Sequence, residues 1–315
     1  MQKKKRIQNK VAESRYSLPI TATLISLIWV AVGLLEDNIW IQFGILALST
    51  FFMLEFNNRN ALMRTYSRMI SCSFVVLTTM ATLPLPSIRA GIVTLCLIAF
   101  YLIIWNTYQD KKGAGNTFFA FAFIGIATTQ WIQMAYYLPF LWIVMLTFIL
   151  SLSFSTFFAS LVGILIPYWF LSVYYVFITD FDSLISHFLS IANFQPLFDY
   201  SQVDMMQIVN FTFISLIGII GTIHFLRNSY ADKIRTRMIY ESIILLNIVT
   251  MAFIVLQPQH YSELMGIQIV NTAPLIAHFI TFTRTRITNA AFVMMLITAG
   301  CIMLLNIWIS SSVFL

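Results

Sequence analysis

Runs of about twenty apolar residues recur along the whole chain, and short polar segments separate them. Each run is long enough to cross a hydrocarbon core of ~30 Å as an α-helix. The pattern therefore predicts an all-α transmembrane bundle of about eleven spans. Their approximate ranges are 18–35, 39–56, 69–86, 90–108, 117–135, 138–154, 156–178, 205–226, 241–257, 267–283 and 290–309. The breaks between 117 and 178 are short enough that ten or twelve spans also fit.

The stretch from 179 to 204 is the longest one that is not a span, because it carries four aspartates and a histidine. Its first half has apolar residues at helical spacing, Thr179 or Asp180 is a suitable N-cap, and Pro196 stops the helix. We predict an outer interfacial amphipathic helix at about 181–194, followed by an acidic loop. Its polar face lacks Lys and Arg, so packing over the bundle as a lid fits as well as lipid binding.

Composition agrees with a membrane protein. The 315 residues are 59% hydrophobic and 10% charged, with a mean hydropathy of +0.85, whereas soluble domains carry about a quarter charged residues. We expect residues 1–315 to form a single integral membrane domain that begins with a basic cytoplasmic segment at 1–17. The first apolar run is too long for a signal-peptide core and lacks a small-residue cleavage site, so we interpret it as an uncleaved span.

The charged residues predict the orientation. With the N-terminus in the cytoplasm, 17 of the 18 Lys and Arg residues fall in inner segments, and only Arg89 lies outside. Short cytoplasmic loops retain such residues, so the C-terminus is expected outside after eleven spans. The pI near 9.3 is thus a topology signal and indicates no nucleic-acid partner. Seven of the twelve acids fall outside, namely Glu36, Asp37, Asp180, Asp182, Asp199, Asp204 and Glu263.

Three residues are candidates for lining a cavity within the bundle. Pro167 and Pro274 fall in mid-span, where a proline frees a backbone carbonyl and bends its helix. His278 follows Pro274 by four residues and so lies on the same helix face. The structural alternatives are a plain packing kink for the prolines and a hydrogen-bonded core position for the histidine.

Two further sets of polar residues are candidates for surface sites. In an outer set, a carboxylate would act as a base and an arginine would bind a lipid phosphate; solvated acids are the alternative. This set is Asp180, Asp182, His187 and Arg89. An inner set would contact anionic lipid or a partner protein, although topology alone also explains its charges. It consists of Arg64, Arg68, Lys233, Arg235 and Arg237.

The sequence carries no catalytic signature, and we expect no metal site and no cofactor. The four histidines fall on two sides of the predicted membrane and at different depths, which argues against one shared metal ion. They are His187, His224, His260 and His278. The three cysteines lie in apolar runs without disulfide or metal-ligand spacing. No carboxylate or lysine is predicted near mid-bilayer, which disfavours an ion-coupled transporter.

Four segments carry a resemblance to a known family. They are FNNRNALMRTYSRM after the second span, FAFIGIATTQWIQMAYYLPFLWI over spans five and six, GILIPYWF in span seven and APLIAHFITFTRTR at the end of span ten. Their order resembles an uncharacterised family of polytopic inner-membrane proteins from Gram-negative bacteria, known as a domain of unknown function. The resemblance implies a bacterial inner (plasma) membrane and supplies no catalytic residue.

The sequence therefore favours a non-enzymatic, multi-pass component that assists envelope assembly or handles lipid. Two alternatives remain open: a transporter of an apolar or lipid-like substrate, and an outer-face transferase that acts on a lipid-linked glycan. The expected partners are the bilayer itself and either anionic lipids or an envelope protein.

Overall fold

The computed structural model describes residues 6–34, 39–83, 86–192, 196–201 and 203–313. Within these ranges the chain is helical, without a strand, and it contains thirteen α-helices that we number in chain order. Helices α1 to α7 are Ile7–Ala12, Ser17–Val32, Trp40–Asn60, Met69–Thr82, Ile88–Ile104, Ala114–Gln130 and Leu138–Val144. Helices α8 to α13 are Phe154–Ile178, Phe181–Leu189, Met205–Asn228, Ile234–Leu256, Tyr261–Phe282 and Arg286–Val313. The acids Glu36 and Asp37 lie outside the described residues.

Eight helical segments of the described chain are long and apolar enough to cross a membrane. They are Trp40–Asn60, Ile88–Thr107, Ile132–Ile149, Phe154–Ile178, Met205–Ala231, Ile234–Leu256, Pro258–Phe282 and Arg286–Trp308. Helices α2 and α4 are apolar but shorter, and α6 has 17 residues. All eleven predicted spans thus fall on helices, and the all-α class is confirmed. The number of membrane crossings and their orientation stay predictions.

Side-chain hydrogen bonds bring several helix connections together at one end of the bundle. The Arg235 guanidinium, at the start of α11, donates to Asn60 Oδ1 (2.9 Å) and to the Trp105 carbonyl (2.8 Å). The Gln8 side chain in α1 donates to the Ile280 carbonyl, near the end of α12. The connections that follow α3, α5, α10 and α12 therefore lie together, and we call this side the basic end. The side that carries α9 is the opposite end.

Helix α12 is the centre of the bundle. It packs against α4, α5, α10 and α11, and all of its residues from Glu263 to Thr281 are buried. Its polar side chains find partners on these neighbours: Gln268 donates to Ser215 (2.9 Å), and Asn271 accepts from Tyr101 (2.7 Å). Such bonds are the usual contacts between helices in a bilayer, where apolar burial does not favour association.

Helices α6 and α8 cross at two glycines. A Cβ atom built on Gly163 would lie 2.5 Å from the Phe118 carbonyl oxygen, and one on Gly125 would lie 2.6 Å from the Ile164 carbonyl oxygen. The same Cβ on Gly125 would lie 3.0 Å from Pro167 Cγ. Pro167 therefore packs closely on α6, as the packing alternative for this proline expected.

The predicted amphipathic helix is present as α9 and a short 3₁₀ segment, Ser190–Ala192. Asp180 is its N-cap, because the carboxylate accepts a hydrogen bond from the Ser183 amide (3.1 Å). Residues 193–194, which the prediction included, lie outside the described residues. His187 contacts the Thr128 carbonyl (3.1 Å), and Tyr136 donates to the Ile191 carbonyl, so this segment is bound to the opposite end of the bundle.

Candidate functional site

A buried ion cluster lies at the basic end, between three segments of the chain. Asp232, in the connection between α10 and α11, has a fully buried side chain. Its carboxylate lies 2.9 Å from Arg64 Nε and 3.2 Å from His278 Nε2. The Arg64 side chain is 34% exposed, and its guanidinium covers the Phe282 ring at 4.2 Å. A buried carboxylate is stable only with such partners, so the cluster ties α12 to both loops.

His224 of α10 extends this cluster toward the surface of the bundle. Its ring centroid lies 5.4 Å from that of His278, and its Nδ1 atom lies 3.2 Å from the Asn228 amide nitrogen. Three buried polar atoms around this pair have no hydrogen-bond partner among the described residues. They are His224 Nε2, His278 Nδ1 and the Tyr240 hydroxyl.

The outer side of His224 forms part of an open pocket of about 470 Å³. Arg227 and Asn228 supply its polar wall, one turn further along α10. Arg227 is exposed and makes no ion pair with any described residue. The apolar wall consists of Ile220, Ile223 and Phe279. We call this the basic pocket.

A second cavity, of about 380 Å³, is almost wholly apolar. It lies between α1, α2, α4, α10, α12 and α13, and we call it the apolar cavity. Its α10 wall is Phe213 and Ile217, and α13 contributes Leu296 and Ala299. Cys72 of α4 also lines it.

The two cavities follow one face of α10. Positions 213, 217, 220, 224 and 227 are spaced by four, three, four and three residues, which places them in one stripe along the helix. The stripe begins apolar and ends at the basic end with an imidazole and a guanidinium. Because ligand sites combine apolar walls with a few placed polar groups, this geometry suits an amphiphile with an anionic head.

The predicted outer set is not joined by contacts in the described chain. Arg89 instead lies 3.3 Å from Glu263, whose side chain is 11% exposed. Asp180 caps α9, and the hydrogen bonds from Ser183 hold its pKa below the usual range. Asp182 is exposed. Burial lowers the pKa of His187, and Arg89 lowers it further, while the hydrogen bond to Thr128 opposes both effects.

The predicted inner set divides into internal and exposed residues. Arg64 and Arg235 are used inside the protein, by the ion cluster and by the loop contacts described above. Arg68 lies over the Tyr66 ring at 5.5 Å. Lys233 is exposed and Arg237 is half-buried.

The residues predicted to line a cavity do not line the two cavities described here. His278 is completely buried and bonded to Asp232. Pro274 is buried within α12, and Pro167 packs on α6. Sequence reasoning instead missed Asp232, Arg227 and Asn228. The available signal was the His224, Arg227, Asn228 spacing, which puts three polar groups on one face where a span ends.

No protein-family model, curated protein or solved structure matches the chain. Within the described residues, no group of three or more His, Cys, Asp or Glu side chains is placed to hold a metal ion.

Proposed function

We propose that the chain is a multi-pass bacterial inner-membrane protein that binds an anionic lipid at its basic end. In this proposal the chain crosses the membrane eleven times, the basic end faces the cytoplasm, and the protein is a non-enzymatic lipid-handling component. One observation carries the proposal: the basic pocket and the apolar cavity share one face of α10, in the order that a lipid head and tail require.

The depth of the polar wall supports a lipid rather than a soluble anion. Arg227 and Asn228 are in the last turn of α10, whereas Phe213 lies about 20 Å before the helix end at 1.5 Å per residue. That distance compares with a bilayer leaflet of ~15 Å, half of the ~30 Å hydrocarbon core. A head bound at Arg227 would therefore leave its tail beside the apolar cavity.

The positive charge of Arg227 in the last turn of α10 also favours an anionic head. An arginine near a membrane surface contributes about 1 kcal/mol to attraction of anionic lipid. A pocket with apolar walls excludes part of the solvent, and hydrogen bonds to charged groups then contribute ~1.5–3 kcal/mol. We therefore expect loss of the Arg227 charge to weaken binding by about 1–2 kcal/mol, which is roughly 5- to 30-fold.

The test compares two variants that each remove one positive charge from the basic end. Arg227→Gln removes the charge in the pocket, and Lys112→Gln removes one from the exposed connection between α5 and α6. Binding of phosphatidylglycerol with a fluorescent tail is measured on the purified chain in an uncharged detergent. We expect weaker binding for Arg227→Gln alone. Equal binding by the unchanged protein and both variants would refute the proposal. Binding of phosphatidylglycerol that is no tighter than binding of phosphatidylcholine would also refute it.

A further inference from the structure

We propose that His224 and His278 form a proton-binding pair, and that an anionic head in the basic pocket binds together with one proton. This inference rests on the proposed function, because the ligand that drives proton uptake is the lipid head. It adds a second, chemically distinct ligand to the site and a defined regulation by pH.

A continuous series of side chains connects the pocket with the buried carboxylate. The Asp232 carboxylate accepts a hydrogen bond from His278 Nε2 (3.2 Å). The His278 ring is the neighbour of the His224 ring, and His224 Nδ1 contacts Asn228 in the pocket wall. His278 is fully buried, so a proton reaches it through neighbouring groups, and the His224 ring is one that connects it with the pocket.

Each of the two rings has one ring nitrogen that is buried without a hydrogen-bond partner among the described residues. His278 uses Nε2 for Asp232 and His224 uses Nδ1 for Asn228, while His278 Nδ1 and His224 Nε2 are buried without a partner in the described chain. Buried polar atoms in proteins are nearly always hydrogen-bonded, to protein or to ordered water. With His278 Nε2 donating to Asp232 and His224 Nδ1 accepting from Asn228, protonation of His278 Nδ1 gives two N–H donors on adjacent rings, and a water between them would accept from both.

The charges around the pair determine when the proton binds. Arg64 from the α3–α4 connection and Arg227 from α10 disfavour a further positive charge, whereas Asp232 favours it but is already paired with Arg64. Tyr240 of α11 adds a neutral hydroxyl. The balance without ligand therefore favours neutral imidazoles. A negative head beside Arg227 reverses that balance, because an opposite charge nearby stabilises the imidazolium.

Linkage gives the expected sign. If binding takes up one proton, affinity rises as pH falls, by at most about tenfold per pH unit. Phosphatidylglycerol is the right probe, because its phosphodiester keeps one negative charge at neutral and mildly acidic pH. Any dependence on pH then comes from the protein.

The experiment measures binding of fluorescent phosphatidylglycerol to the full chain in uncharged detergent, at about pH 8 and about pH 5.5. We expect roughly three- to tenfold tighter binding at the lower pH, together with proton uptake in weakly buffered solution. His224→Gln and His278→Gln should each remove the pH dependence. His260→Gln, which replaces a histidine at the opposite end, should keep it.

The outcomes separate this inference from the proposed function. Lipid binding that is equally tight at both pH values, without proton uptake, overturns the inference and leaves the lipid site standing. A pH dependence that survives in His224→Gln also overturns it, even if His278→Gln does not fold. No binding at either pH refutes the proposed function and the inference together.

Discussion

Replacing Asp232 by alanine removes the carboxylate that Arg64 and His278 share, so it measures what the buried ion cluster contributes. The Asp232 side chain has no solvent exposure, and its two partners lie at 2.9 Å and 3.2 Å. Breaking a buried ion pair costs ~3–5 kcal/mol when the remaining charge stays buried. Arg64 is 34% exposed and can turn toward water, which reduces that cost.

The alanine variant also removes the hydrogen bond of His278 Nε2, and His278 Nδ1 already has no partner among the described residues. An unsatisfied buried polar group costs ~1–3 kcal/mol. Together the two effects predict a loss of about 3 kcal/mol for Asp232→Ala. Asp232→Asn keeps an acceptor for His278 and loses only the charge, so we expect about 1–2 kcal/mol.

The assay is the unfolding midpoint in detergent, followed by tryptophan fluorescence at one fixed heating rate, since unfolding of such proteins is often irreversible. At ~2 °C per kcal/mol for a large chain, we expect about −6 °C for Asp232→Ala and about −3 °C for Asp232→Asn. Asp182→Ala, an exposed aspartate on α9, is the control without effect. An Asp232→Ala midpoint equal to that of the control refutes the argument.

Three other predictions follow from the packing. Gly163→Ala should lower the unfolding midpoint, because its Cβ meets the Phe118 carbonyl at 2.5 Å, whereas Gly300→Ala in open space should not; overpacking costs ~1–3 kcal/mol. Ala299→Phe should fill the apolar cavity and weaken binding of a long-chain lipid but not of a water-soluble glycerophosphate, with Thr298→Phe at an exposed neighbouring position as the control. The lowered pKa of His187 means that protonation of this ring disfavours the docked position of α9. Hydrogen exchange in α9 should therefore increase as the pH falls below about 6.5, and should continue to increase until the pH reaches the pKa of His187 in the folded protein. His187→Gln should abolish that pH dependence.

The long helices were predictable because each one satisfies its backbone hydrogen bonds locally and carries a long apolar run. The N-cap of α9 was predictable for the same reason, since Asp180 and Ser183 are three residues apart. Boundaries failed where tertiary contacts intervene. The predicted sixth span is α7 followed by a π-helical turn that ends at Leu150, which has a positive φ of 58°. The predicted tenth span begins at 267, whereas α12 begins at Tyr261.

The candidate site was largely hidden from the sequence. Asp232 stands in a polar connection and looks like any solvated loop acid. Its burial depends on Arg64, 168 positions earlier, and on His278, 46 positions later. No local pattern reports such distant neighbours. The apolar cavity was hidden for a related reason, because its walls come from six helices that are spread along the sequence from α1 to α13.

In the proposed orientation, the positive-inside rule accounts for the arginines at the basic end, but it does not account for the differences between them. Membrane insertion requires only that the Lys and Arg residues stay on one side of the membrane, so it does not require an arginine to form an ion pair or hydrogen bond within the protein. Arg64 and Arg235 nevertheless bind Asp232, Asn60 and Trp105, whereas Arg227 has no ion pair among the described residues and faces a pocket with apolar walls. Exchanging arginine for lysine separates these roles. Insertion should tolerate the change at each position. At Arg235 the change should weaken the two hydrogen bonds that one guanidinium nitrogen donates to Asn60 and Trp105, and at Arg227 we expect lipid binding to keep the charge contribution alone.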